Sequence, residues 1–171
     1  MNIFWLSRSL RRCARYYCDK HCVKIVLEIT QVLFTTHWMS ENATAYWTNH
    51  GIAKPYKKTH VNHPVCIWVR ACAGNYIMTV KLGRALCAEY THRYGKVHKC
   101  EQYIAIFAKH MPDFLIGSSL APTSPPLCMP EQYRSDDFVE AYRAYYLGEK
   151  RAMMSYKNRA WPRWQAGAGR P

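Results

Sequence analysis

Between residues 19 and 39 apolar side chains crowd most of a helix's circumference: Cys22, Val23, Ile25, Val26, Leu27, Ile29, Val32, Leu33 and Phe34. The pattern predicts one long helix, and a helix that apolar is a buried one. Yet His21, Lys24, Glu28, Gln31 and Thr35 recur at spacings of three and four residues, which draws a polar seam along one face. Such a seam is either the solvent face of an amphipathic helix or the wall of a pocket. In the pocket reading Lys24 and Glu28, four apart, would hold each other charged.

The remaining pattern is also helical. Residues 1–7 are apolar and read as a short N-terminal strand or an extended segment, followed by a basic helix over 8–17. Residues 40–63 carry Asn42, Asn49, Gly51 and Pro55 and read as a connection. Pro64 after His63 is a helix-start signal, and the second long helix is predicted over 64–94, ending at Gly95, with a kink or break at Gly74-Asn75. A third helix is expected over 97–109. The prolines between 111 and 130 predict an ordered strap, and Asp137 with Glu140 predicts a capped final helix reaching about 157. Strand signals are nearly absent. The expectation is an all-α fold, one compact domain over 1–164 built on two long central helices, with a flexible tail at 165–171.

The charge narrows the partner. Twenty-four basic against 11 acidic residues leave +13, which a compact domain does not need in order to fold. With 13 Tyr and 6 Trp, many beside basic residues (Arg15-Tyr16-Tyr17, Arg93-Tyr94, Trp161-Pro162-Arg163-Trp164), the composition suits phosphate contacts and base stacking. DNA, single- or double-stranded, is the expected partner of a monomer. No run of ~18 apolar residues is present to span a membrane. The short apolar start precedes its arginines, the reverse of a signal peptide, so a cytoplasmic location (the host's, if viral) is expected. Eight cysteines in such a setting read as buried thiols, with zinc at Cys13, Cys18, His21 and Cys22 as the alternative.

Two further clusters carry candidate chemistry. His60, Asn62 and His63 precede the helix starting at Pro64, where a helix dipole would favour an anion. Arg93, Tyr94, Lys96, His98 and Lys99 form a dense basic turn that reads as a phosphate clamp. Lys20 flanks the seam, and Arg70 and Asn75 complete the expected substrate-binding set.

The runs Cys18-Asp19-Lys20-His21, Lys24 to Glu28, Thr59-His60 with Asn62-His63-Pro64, Ile67-Trp68-Val69-Arg70, Asn75-Tyr76, Glu89-Tyr90-Thr91, Arg93-Tyr94-Gly95-Lys96 with His98-Lys99, and Met129-Pro130 through Tyr145-Tyr146 form a further pattern. In these the chain resembles a family of uncharacterised small proteins encoded by bacteriophages and large viruses. The resemblance covers residues 1 to about 164. It departs at Arg8, Arg11 and Arg12, where the relatives are more acidic. It implies a setting of viral DNA metabolism and assigns no catalytic residue.

Three functions compete. A DNA N-glycosylase acting on uracil or another altered pyrimidine needs a flipped base, a carboxylate and a donor to the departing base. Asp19 or Glu28 would supply the carboxylate, His63 or His60 the donor, Asn62 or Asn75 the reading of the base edge, and Lys24 or Lys20 an amine for a lyase step. This first reading calls for no metal and no cofactor. A metal-dependent nuclease or phosphohydrolase would draw ligands from His21, Glu28, His60, His63 and His98, but few carboxylates are available to converge. A non-enzymatic DNA-binding protein accounts for charge and aromatics and leaves the seam unexplained.

Overall fold

The computed structural model describes residues 2–168. Seven α-helices appear among them and no strand: α1 (Leu10–Tyr16), α2 (Asp19–His37), α3 (Ala43–Asn49), α4 (Pro64–Val69), α5 (Ala73–Tyr94), α6 (Glu101–Phe107) and α7 (Phe138–Glu149). The fold is all-α, as the periodicity predicts. No helix among the described residues is long and apolar enough to cross a membrane.

Helix α2 is the central element. Ile25, Val26, Ile29, Val32, Leu33 and Phe34 are buried against α5, α4 and α6, while α1 packs along α5. Each large apolar side chain removed from water here contributes about 1.5–3 kcal/mol. The helix expected over 64–94 is two helices. Its break falls at 70–72, ahead of the Gly74-Asn75 position that the sequence pattern suggested. Gly74 serves a different purpose: a Cβ there would lie 2.6 Å from the Leu120 carbonyl oxygen and 2.7 Å from Pro122 N. The proline-rich strap at 111–130 crosses α5 at that point. The fully buried Asn75 ties it down, accepting from Thr123 N at 2.8 Å and donating to Trp68 O at 2.8 Å.

The opening segment 2–7 is extended and belongs to no sheet. Its strand-like apolarity reflects burial, since Ile3, Phe4, Trp5 and Leu6 are all inside. Side chains replace the missing ladder. The Tyr17 hydroxyl accepts from Phe4 N and donates to Phe4 O, Cys13 Sγ accepts from Leu6 N, and Arg143 Nε donates to Leu6 O. Helix α3 lies inside the expected connection, and the third helix is shorter than expected. Helix α7 begins as predicted, with the Asp137 carboxylate accepting from Val139 N and Glu140 N, but ends at Glu149 rather than near 157. The expected tail overlaps a 3₁₀ turn, Arg163–Ala168, whose Gln165 is buried and donates to the Tyr156 hydroxyl at 2.8 Å. Residues 169–171 lie outside the described residues.

Candidate functional site

The polar seam of α2 is real, and most of it is covered. The opening segment lies across it. Glu28 is 8% exposed; its Oε2 accepts from Asn2 N at 2.7 Å, and its Oε1 lies 3.3 Å from the Lys24 ammonium. Lys24 itself stays two-thirds exposed, so it marks the open edge. One turn earlier, His21 stacks on Phe4 with ring centroids 4.7 Å apart and bonds Tyr146 Oη through Nδ1 at 2.8 Å. Tyr146 Oη accepts from Cys18 N, so its proton is free to go to Nδ1, leaving the other ring nitrogen as the N–H. Burial, then Lys150, hold the His21 imidazole down to about 4 against the pull of Glu28. It is therefore neutral at pH 7. At the far end, Thr35 donates to Thr59 O at 2.9 Å, which docks the loop carrying the second cluster.

That loop brings His63 within the field of Glu28. Burial, first of all, lowers the His63 imidazole, and Glu28 acts in the opposite sense. His63 Nδ1 accepts from Val65 N at 3.2 Å and so caps α4. Helix α4 has only six residues, so the strong anion-binding dipole expected there is not built. His60 takes a left-handed backbone (φ 51°) and its Nδ1 lies 2.7 Å from Thr59 Oγ1. Asn62 is exposed. Arg70 donates through Nη1 to Val61 O, which ties the loop to the end of α4.

Asp19 sits elsewhere, as does most of the expected phosphate clamp. Asp19 Oδ1 accepts from Arg93 Nη1 at 2.9 Å, and both carboxylate oxygens accept from Lys157 N at 3.0 Å. The Arg93 side chain is fully buried, so it cannot hold a phosphate; its Nε donates to Glu89 Oε1 and its Nη2 to Arg15 O. Asn75, bound on both faces of its amide, has none left to read a base. The Tyr94 hydroxyl donates to Asp19 O. His98 Nδ1 accepts from Cys100 N ahead of α6. Of the lysines and arginines in the expected binding set, Lys20, Lys96 and Lys99 are exposed and Arg70 is half-buried. Cys13 and Cys22 are core thiols that burial pushes up to about 12. Among the described residues no three His, Cys, Asp or Glu side chains converge as metal ligands would.

The structure therefore pairs Lys24 with Glu28, sets His21 and His63 within the electrostatic range of that carboxylate, and leaves Asp19, Asn75 and Arg93 outside. Sequence reading missed a second feature. A groove of about 670 Å³ runs between α1 and α5, lined by Arg11, Arg15, Lys81, Arg84 and Arg159, with Glu89 among its lining residues. The signal was present in the spacing: Arg11 and Arg15 are four apart, Lys81 and Arg84 three apart, each pair on one helix face. No family model matches the chain, and no curated protein or solved structure matches it.

Proposed function

We propose that this protein is a DNA N-glycosylase that releases uracil or another altered pyrimidine, with Glu28 as its catalytic carboxylate. The observation that supports this reading is the Lys24–Glu28 pair: an exposed amine 3.3 Å from a carboxylate that is itself nearly buried. Two imidazoles lie within its electrostatic reach.

Glycosidic cleavage needs those parts. The bond between C1′ and the pyrimidine nitrogen breaks, and the base leaves with the electron pair. The sugar passes through an oxocarbenium-like state, which an anionic carboxylate in a low-dielectric setting stabilises. Glu28 then takes a proton from the water that attacks C1′, and that proton passes to the departing base. Lys24 pairs with Glu28 at 3.3 Å from the open edge of the seam. His63, whose imidazole burial lowers and whose Nδ1 accepts from Val65 N, carries its N–H on Nε2 and donates it to the developing charge on the base oxygen. A neutral imidazole is the suitable donor, because it adds no further positive charge beside a cationic sugar. The metal-dependent alternative needs a converging donor set, for which the described side chains give no support.

Base release from a uracil-containing oligonucleotide tests the reading. Glu28→Gln preserves shape and the Asn2 contact but removes the charge. Turnover is expected to fall by about 10²–10³ or more, with activity in the wild type retained in chelator. Wild-type turnover in Glu28→Gln overturns the assignment; activity lost to EDTA and restored by a divalent ion favours the nuclease.

A further inference from the structure

We infer that the α1–α5 groove and the aromatic recess at its end form a track for single-stranded nucleic acid. This surface is separate from the Glu28 seam, and the inference does not rest on the glycosylase reading.

The argument starts from charge. Five cationic side chains line the groove against one carboxylate, Glu89. That carboxylate is fully engaged: Arg159 grips it in a bidentate pair, Nε to Oε1 and Nη2 to Oε2, both 2.8 Å, and Arg93 adds a third bond from beneath. Burial raises Glu89, but the bonds from Arg159 and Arg93 outweigh it and hold the carboxyl below its ordinary range. It stays ionised and fixes Arg159 in place. Arg11, Arg15, Lys81 and Arg84 are exposed, and none takes part in the ion pairs found among the described residues. Like charges three or four residues apart on a helix destabilise it. No ion pair among the described residues offsets them, so the groove suits an anion from outside.

The shape says which anion. Ala85 and Ala88 leave the groove open between the arginines of α1 and the cations of α5. At one end it meets a recess of about 300 Å³ that shares Arg15 and Arg159 and adds Tyr16, Trp161, Pro162 and Arg163. Tyr16 and Trp161 are only partly buried. A trough of cations continuing into an aromatic recess is what a single strand requires: phosphates follow the charge and an unpaired base stacks on a ring. A duplex has no free base to offer the recess. An anionic membrane fits less well, because binding there is driven by inserted apolar side chains. The exposed large apolar residues, among them Phe114, Ile116 and Leu120, do not line this groove.

Fluorescence anisotropy with a labelled single-stranded oligonucleotide, run across a salt series, tests the assignment. The double variant Lys81→Gln with Arg84→Gln is expected to weaken binding at least tenfold. It should also make the salt dependence shallower by about 1.4 in log–log slope, because two phosphates no longer meet a cation. The charge-matched control, Lys54→Gln with Lys109→Gln, is expected to change affinity less than twofold. Trp161→Phe should abolish most of the tryptophan quenching that accompanies binding. Equal losses in the groove variant and the control would reduce the surface to bulk charge and overturn the track. So would tenfold tighter binding of a matched duplex, or groove-dependent binding to phosphatidylserine vesicles in place of the oligonucleotide. Binding that survives while wild-type base release is absent would sink the glycosylase reading and leave this one standing.

Discussion

Asp19 and Glu28 stand on opposite faces of α2. They are nine residues apart in the chain, which turns a helix by about 180° from one to the other. Asp19 looks toward Arg93 and the Lys157 amide, whereas Glu28 looks toward Asn2 and Lys24. Two carboxylates that are interchangeable candidates in the sequence cannot serve one reacting sugar. One anchors a buried arginine and the other faces the seam.

Asp19→Asn therefore acts on stability. It weakens the pair with Arg93, whose guanidinium stays buried, and breaking a buried pair costs about 3 kcal/mol when nothing replaces it. Glu89 still holds Arg93, so about 2 kcal/mol is expected here. Urea unfolding should show the loss. Base release, corrected for the folded fraction, should stay within about twofold of wild type by the preorganisation argument that singles out Glu28. A drop matching that of Glu28→Gln would return Asp19 to the site.

Glu89→Gln should be the more severe change. The carboxylate answers two arginines at once, and the neutral amide would leave Arg93 with one remaining carboxylate and Arg159 with none. The expected loss is about 3–5 kcal/mol. Oligonucleotide affinity should also fall in the fraction that remains folded, since Arg159 is no longer held in the groove. Unchanged affinity with lowered stability would restrict the network to a structural role.

Asn75 and Gly74 give a test of the strap. Asn75→Ala removes the acceptor of Thr123 N, on the exposed strap, and the donor to Trp68 O in the core. A buried partner left stranded in this way, here the Trp68 carbonyl, costs about 1–3 kcal/mol. Gly74→Ala drives a methyl group into the backbone at 120–122 and should lift the strap directly. In both variants limited proteolysis should cut within residues 111–130 earlier than in the wild type. Resistance equal to wild type in Gly74→Ala would show that the strap is free to shift.

The helices most easily read were those whose burial is written locally. The run from Ile25 to Phe34 is apolar at nearly every core-facing position, and Asp137 carries its own cap. The break at 70–72 was invisible because Arg70 and Cys72 are acceptable inside a helix; the chain turns there so that the strap can pass over Gly74. The seam was legible as a periodicity, and Lys24 with Glu28 follows from spacing alone. What covers it was not, because Asn2 and Glu28 are 26 residues apart and nothing local links them. Arg93 misled for a related reason. A basic residue at a helix end reads as a solvent-facing clamp, and only the fold brings Asp19 and Glu89 around it.

Two buried histidines set the response to acid. Burial, then His50 and His110, hold His37 down to about 3, while His21 is held to about 4 by burial, Lys150 and Lys24, with Glu28 opposing. Both refer to an ordinary value of 6.5 in the unfolded chain. Above that value neither state binds the proton, and the full stability is present. As pH falls below it the unfolded chain takes up protons that the folded one refuses, so stability is lost on acidification, down to about 4 for His21 and about 3 for His37. Each contributes up to about 1.4 kcal/mol per pH unit over its window. Glu89, held below its ordinary range, adds loss in the same direction at lower pH. The urea midpoint should be flat from pH 8 to 7 and then fall steadily toward pH 4. His37→Phe isolates one of the two. The ring keeps its stack on Phe107, 4.6 Å between centroids, and the Tyr76 hydroxyl keeps its bond to Phe107 O, so the core survives. Its acid slope should be shallower by about one proton's worth. A slope identical to wild type would mean that His37 already accepts a proton in the folded state, and that the imidazole is not sealed between Tyr46, Tyr76 and Phe107.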